Sequence, residues 1–117
     1  MSEVAGRLSI QAAATALQKP NGGRGKLMGG VAGVRPADVV IIGAGIVGTN
    51  AAQVALGMGA HVIFIDINLD RLRYLHEVMG GRLTTLASNP LNIAQAVQRA
   101  DLLVGAEDGR FYLLERP

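Results

Sequence analysis

Val39-Val40-Ile41-Ile42-Gly43-Ala44-Gly45-Ile46-Val47-Gly48 decides the fold of this chain. A short, unbroken apolar run suits a strand buried on both faces of a parallel sheet. A G-x-G-x-x-G turn placed directly after such a strand and before a helix marks a dinucleotide-binding βαβ unit. Gly43 is expected to let the chain turn sharply out of the strand. Gly45 is expected to let the backbone approach a pyrophosphate with no Cβ in the way, and Gly48 to let helix and strand pack closely. Ile46 and Val47 then open a helix whose N–H groups and positive dipole end face the phosphates. His61-Val62-Ile63-Phe64-Ile65-Asp66 reads as the next strand, and it places Asp66 about 20 residues after the glycines. At that position a carboxylate accepts hydrogen bonds from the adenosine ribose hydroxyls and repels a 2′-phosphate, which points to NAD rather than NADP.

Outward from this unit, strands and helices keep alternating. Ile46 to Met58 is Ala-rich and helical, ended by Gly57 or Gly59. Asn68 or Asp70 starts a helix in which Leu69, Leu72, Leu75 and Val78 or Met79 recur at helical spacing. Arg82 to Leu86 is expected as the third strand. Asn89-Pro90 opens a further helix with Leu91, Ile93, Ala94 and Val97 turned inward, and Asp101 to Gly105 is the fourth strand. The predicted fold is an α/β Rossmann-type parallel sheet in the order 3-2-1-4, with flanking helices and an N-terminal helix. Glu3 to Gln18 supplies that helix, capped by Ser2. The organisation read from the sequence is a helix over 1–19, a Gly-rich connector over 20–37, a dinucleotide-binding core over 38–106 and a divergent tail over 107–117. In that tail Asp108-Gly109 could turn Phe111 to Leu114 back along an edge.

Composition narrows the function classes. At 117 residues one domain is expected, and with no Cys there are no disulfides, thiolate metal sites or Cys nucleophile, which fits the cytoplasm. The N-terminus lacks the layout of a signal peptide. A formal charge of +2, with Arg and Lys scattered among acids, argues against a nucleic-acid partner. Val39 to Ile65 carries no charged residue and is longer than the roughly 20 residues that span a bilayer. Its glycines, Asn50, Gln53 and His61, and its β-branched ends, read as strand, turn, helix and strand rather than as a membrane span. Arg71 reads from spacing either as a stacking partner for adenine or as a solvated helix charge. Ser88 reads as a ligand at a strand end or as a helix cap. His61 and His76 have no second ligand at metal spacing, and no catalytic constellation is visible.

From Met1 to Ala106 the chain resembles the NAD-binding domain of the alanine dehydrogenase family, which also holds the NAD-binding subunit of proton-translocating transhydrogenase. The residues that carry the likeness are Met1 to Arg7, Gly22-Gly23-Arg24-Gly25, Met28-Gly29-Gly30-Val31, Gly43 to Asn50, Asp66-Ile67-Asn68 and Ala100-Asp101-Leu102. Gly48-Thr49-Asn50 and Asp66-Ile67-Asn68 look like the dehydrogenase branch. The resemblance implies that Ser2 contacts the nicotinamide side, Ile46 and Val47 line the pyrophosphate turn, Asp66 holds ribose, and Arg71 and Ser88 flank adenine. It also implies oxidative deamination of L-alanine to pyruvate and ammonia by a homo-oligomer. The family's substrate domain, with its Arg, Lys and catalytic His, has no counterpart in this sequence, and from Glu107 onward the likeness ends. The expectation is therefore a truncated NAD(H)-binding domain that does not turn over alone. The alternatives are a domain of transhydrogenase type, a non-catalytic interaction module, and one subunit of a split enzyme whose substrate-domain chain is separate.

Overall fold

The computed structural model describes residues 35–43, 46–79, 83–107 and 110–115. The proposed N-terminal helix, most of the connector, and Ser2 and Gly45 lie outside them. The elements run β1 (Asp38–Ile42), α1 (Ile46–Gly57), β2 (His61–Asp66), α2 (Leu69–Met79), β3 (Leu83–Ala87), α3 (Pro90–Arg99), β4 (Leu102–Glu107) and β5 (Arg110–Glu115). They form one sheet in the order β3-β2-β1-β4-β5. The first four strands are parallel and so give the expected 3-2-1-4 core, with Val40 paired to Ile63 on one side and to Leu103 on the other. Strand β5 returns antiparallel along the outer edge of β4.

The continuous apolar run of β1 is explained by cover on both faces. Val39, Ile41, Val62, Phe64, Leu83, Leu102 and Val104 share one core with Ala51, Ala52 and Ala55 of α1 and Leu72 and Leu75 of α2. Val40, Ile63 and Ile65 share the other with Ala96 of α3 and with Ala100. The alternation follows from the two-residue period of a strand. The alanines of α1 keep its axis close to the sheet, and a Schellman motif ends that helix. There the Ala60 N–H donates to the Ala55 carbonyl at 3.0 Å and the Gly59 N–H to the Leu56 carbonyl at 2.9 Å, with Gly59 at φ 88°. Gly59, not Gly57, is thus the terminator. The charge-free stretch from Val39 to Ile65 is β1, α1 and β2, and among the described residues no helix is long and apolar enough to cross a membrane.

Several details differ from the sequence reading. Strand β3 is displaced by a residue, reaching Ala87, and β4 runs on to Glu107. In α3 the sheet is met by Ile93, Ala96 and Ala100, whereas Leu91 and Ala94 are exposed and Val97 lies at 36% exposure. Of the four positions expected to turn inward, Ile93 does so. The correct row, 93-96-100, carries two alanines that no hydrophobicity count singles out. Leu69 and Val78 of α2 are likewise exposed, leaving Leu72, Leu75 and the half-buried Met79 to face the core.

The N-terminal ends of the strands are tied by side chains. Asp38, 5% exposed, and Asp101, 1% exposed, are the buried charged residues of the described core. The Asp38 N–H donates to Asp101 Oδ2 at 2.8 Å, and the Asp101 N–H returns to the Asp38 carbonyl at 2.8 Å. His61 Nδ1 lies 2.9 Å from Asp38 Oδ1, and its Nε2 lies 3.1 Å from Thr84 Oγ1. A carboxylate only accepts, so Nδ1 donates; in the neutral ring Nε2 then accepts from the Thr84 hydroxyl. The chain of bonds crosses β4, β1, β2 and β3 in sheet order. Among the described residues every buried side-chain nitrogen or oxygen has a partner.

Candidate functional site

The order of the sheet reverses at β1, whose neighbours are β2 on one side and β4 on the other. Helices α1 and α2 cover one face and α3 the other. In open α/β sheets a ligand crevice lies outside the C-terminal strand ends at this switch point. Gly43 leaves β1 there with φ 100°, a left-handed backbone that favours glycine. Its N–H donates to the Ile65 carbonyl at 2.8 Å, which carries the β1–β2 pairing one step into the turn. A Cβ built on Gly48 would stand 2.2 Å from the Gly43 carbonyl oxygen, 3.2 Å from Phe64 Cζ and 3.3 Å from Ile41 Cγ2. The third glycine is therefore required by the close approach of α1 to the turn itself. Ile46 and Val47 begin α1 directly after that turn.

Asp66 ends β2 and is half-buried. Its Oδ1 accepts from the Asn68 N–H at 3.1 Å, which fixes the carboxylate against its own loop. Asn68 in turn caps α2, its Oδ1 accepting from the Arg71 N–H at 3.1 Å, so the start of that helix falls to Asn68 and not Asp70. The Asp66 carbonyl accepts from the Ser88 N–H at 3.0 Å, extending the β2–β3 pairing beyond Ala87. Ile65 and Asp66 thus anchor the chain leaving β1 and the chain leaving β3, and Gly43, Asp66 and Ser88 stand on adjacent strand ends.

Ser88 is not the cap of α3. Asn89 is, its Oδ1 accepting from the Asn92 N–H at 2.8 Å with Pro90 opening the helix, while Asn92 Nδ2 donates to the Ala87 carbonyl at 2.9 Å. Arg71 is exposed in the first turn of α2 and lines a shallow, open cleft of about 420 Å³ with Thr49, Asn68, Asp70, Tyr74 and Leu75. The Asn68 turn links Arg71 to the strand end, since Asp66 Oδ1 accepts from the Asn68 N–H and Asn68 Oδ1 accepts from the Arg71 N–H. The sequence offered Asn68 as a helix start, but not its N–H as the donor that orients Asp66, for which the signal was Asp66 itself, an Asx residue whose oxygen can accept from the N–H two residues on. The bond from Asn92 to the Ala87 carbonyl had no signal, since Asn92 lies within a helix. Among the described residues no group of His, Asp and Glu could hold a metal ion.

Known proteins match this chain over most of its length. The family model described as alanine dehydrogenase/PNT, C-terminal domain, matches residues 9–108. An alanine dehydrogenase of Methanococcus maripaludis is 61% identical over 105 residues, covering 90% of this chain and 28% of that protein. The alanine dehydrogenase of Bacillus subtilis is 57% identical over 106 residues, 91% of this chain and again 28% of the relative. The chain thus spans little more than a quarter of the length of the curated relatives it matches. A solved L-alanine dehydrogenase superposes with a TM-score of 0.85 at 53% identity, over 88% of this chain and 28% of that one. A transhydrogenase from Sinorhizobium meliloti, at a TM-score of 0.65 and 20% identity over 89% of this chain and 31% of its own, shares the fold alone. The chain belongs to the alanine dehydrogenase/PNT C-terminal domain family, its likeness is to the alanine dehydrogenase branch, and the cofactor of such a domain is NAD.

Proposed function

We propose that this chain binds NAD(H) along the C-terminal strand ends, and that residues 38–106 form the binding core to which 1–19, 20–37 and 107–117 are appended. Asp66 accepts the two ribose hydroxyls of the adenosine half. The backbone from Gly43 through Gly45 to Gly48 lies against the pyrophosphate, and the N–H groups at Ile46 and Val47 donate to its oxygens. Arg71 and Ser88 flank the adenine, and Ser2 approaches the nicotinamide side. The observation that carries this reading is the strand-end arrangement in which Gly43 turns at φ 100°, Gly48 leaves no room for a Cβ, and Asp66 has its carboxylate oriented by Asn68.

By analogy with the relatives, the whole reaction is the conversion of L-alanine, NAD and water to pyruvate, ammonia and NADH in the cytoplasm. The NAD held by these residues would supply the hydride acceptor. The residues named above bind and orient the cofactor, whereas substrate recognition and proton transfer fall to a substrate domain on the same polypeptide or on a separate chain. The relatives, more than three times as long as the match, make room for such a domain.

Calorimetric titration tests the binding claim. Saturable heat is expected with NAD, and Asp66→Ala should weaken it by about 1 kcal/mol or more, roughly fivefold in Kd. The same variant should narrow the preference for NAD over NADP, since the charge that repels a 2′-phosphate is gone. Absence of heat at about millimolar NAD would remove the proposal.

A further inference from the structure

Two consecutive hydrogen bonds tie the Asp66 carboxylate to the first turn of α2. Asp66 Oδ1 accepts from the Asn68 N–H at 3.1 Å, and Asn68 Oδ1 accepts from the Arg71 N–H at 3.1 Å. Arg71 is thereby held at a set place beside the strand end, and it is exposed. The cleft of about 420 Å³ that it lines is bounded on the other side by Thr49, the residue after Gly48 in the first turn of α1. The cleft therefore lies between two first turns, one in the helix that follows the glycines and the other in the helix that follows Asp66. A nucleotide laid across the C-terminal strand ends, with its pyrophosphate on the former and its adenosine ribose on the latter, borders it.

The charges beside the cleft stand in opposition. Asp70 lines it too, but its Oδ1 accepts from Arg73 Nη1 at 3.2 Å, so that acid has a cation of its own. Asp66 and Arg71 are the other charges on this loop and first helical turn. A guanidinium stacks on a base face and offers a phosphate two parallel N–H bonds along its edge. Arg71 can thus flank the adenine and still meet a phosphate on the neighbouring ribose. A phosphate on the 2′-hydroxyl that Asp66 engages extends beyond the carboxylate, toward the Asn68 turn and Arg71.

We propose, resting on the NAD(H) reading above, that this cleft receives the 2′-phosphate of NADP with Arg71 as its counter-charge. The preference between the two nucleotides is then a balance of Arg71 against Asp66 and not the work of Asp66 alone. NADP is a weaker second ligand of the same site, and removing the Asp66 charge strengthens it because the cation that receives the phosphate is already in place. Specificity is a difference of two affinities, so both members of the pair set it.

The test is calorimetric titration with NAD and with NADP of the wild type, Asp66→Ser, and Asp66→Ser carrying Arg71→Ala or Arg71→Lys. Serine at 66 keeps an oxygen that can accept from the Asn68 N–H and removes the charge. Asp66→Ser should bind NADP about tenfold more tightly than the wild type does. Adding Arg71→Ala should weaken NADP about tenfold more than it weakens NAD, whereas Arg71→Lys, which keeps a cation, should retain most of the NADP affinity. Loss of stacking on adenine alone would weaken both nucleotides equally. An Asp66→Ser variant with no gain in NADP affinity, or an Arg71→Ala step of equal size for the two nucleotides, would overturn the proposal and leave the NAD site standing. A wild type that does not bind NAD would instead remove the reading beneath it, and this proposal with it. Should the double variants fail to fold, salt decides on Asp66→Ser alone. Between about 50 mM and about 500 mM KCl its NADP affinity should fall about threefold more than its NAD affinity, and equal falls would overturn the proposal as well.

Discussion

The two ends of the parallel sheet are held together by different means. At the N-terminal end four strands are bridged by side chains, with Asp101 on Asp38, Asp38 on His61 and His61 on Thr84. At the C-terminal end the ties are main-chain bonds, from Gly43 to Ile65 and from Ser88 to Asp66. A side chain committed to holding strands in register is a poor ligand, because leaving its post strands a buried partner. A backbone bond holds the strand end and leaves the side chain beyond it to meet a small molecule. The fold thus places the side-chain ties at one end of the strands, and the proposed NAD site lies at the other. His61 illustrates the division. It and Asp38 make the pairing of imidazole and carboxylate often met in catalysis, with a hydroxyl beyond, yet they sit at the edge away from the crevice and serve the sheet.

The largest expected effect breaks the division, at the one position where recognition and packing coincide. In Gly48→Ala the new Cβ would meet the Gly43 carbonyl at 2.2 Å. The backbone must shift, so unfolding should be easier by about 3 kcal/mol and the NAD affinity should fall with it. Thermal unfolding and calorimetry on the same sample would show both losses. Asp101→Ala comes next and tests the division from the other side. It leaves the buried Asp38 N–H without its acceptor, which should cost about 2 kcal/mol. Because the damage lies at the far edge, the NAD affinity of the folded protein should stay within about twofold of wild type. Asp101→Asn, which keeps an acceptor oxygen, should recover about half of the stability loss. An affinity that falls in step with the stability of Asp101→Ala would mean that the two edges are not independent.

The sequence made the recognition edge far easier to read than the clamp. Gly43, Gly48 and Asp66 are constrained by backbone conformation, close approach and placement at a strand end, and each constraint selects a residue type at fixed spacing. The parallel order followed from alternation of short apolar runs with helical ones. The clamp had no such signature: Asp38, His61, Thr84 and Asp101 are far apart along the chain, and only the strand register brings them into one row. The inward row of α3 is legible only at Ile93 for a related reason, since Ala96 and Ala100 are buried without looking like core residues. Leu91, the residue most easily taken for core, is 64% exposed.

The smallest effects sharpen the comparison within three residues of one loop. Asn89 and Ser88 are adjacent polar residues after β3, and from sequence Ser88 could be either the cap of α3 or a ligand. The structure gives the cap to Asn89, whose Oδ1 holds the Asn92 N–H at 2.8 Å, and ties Ser88 to the strand end through its N–H alone. Asn89→Ala should therefore cost about 1 kcal/mol in unfolding free energy, the usual worth of such a cap. Ser88→Ala keeps the backbone bond to Asp66 and should leave stability unchanged within about 0.5 kcal/mol. Their effects on NAD should run the other way. With Ser88 flanking the adenine as proposed, Ser88→Ala removes one neutral hydrogen bond to the cofactor and should weaken NAD about threefold to fivefold. Asn89→Ala, with the strand end still anchored by Ser88 N–H to the Asp66 carbonyl, should leave the affinity nearly unchanged. Reversal of that pattern, with Ser88 mattering for stability and Asn89 for binding, would return the cap to Ser88 and move the ligand contact one residue on.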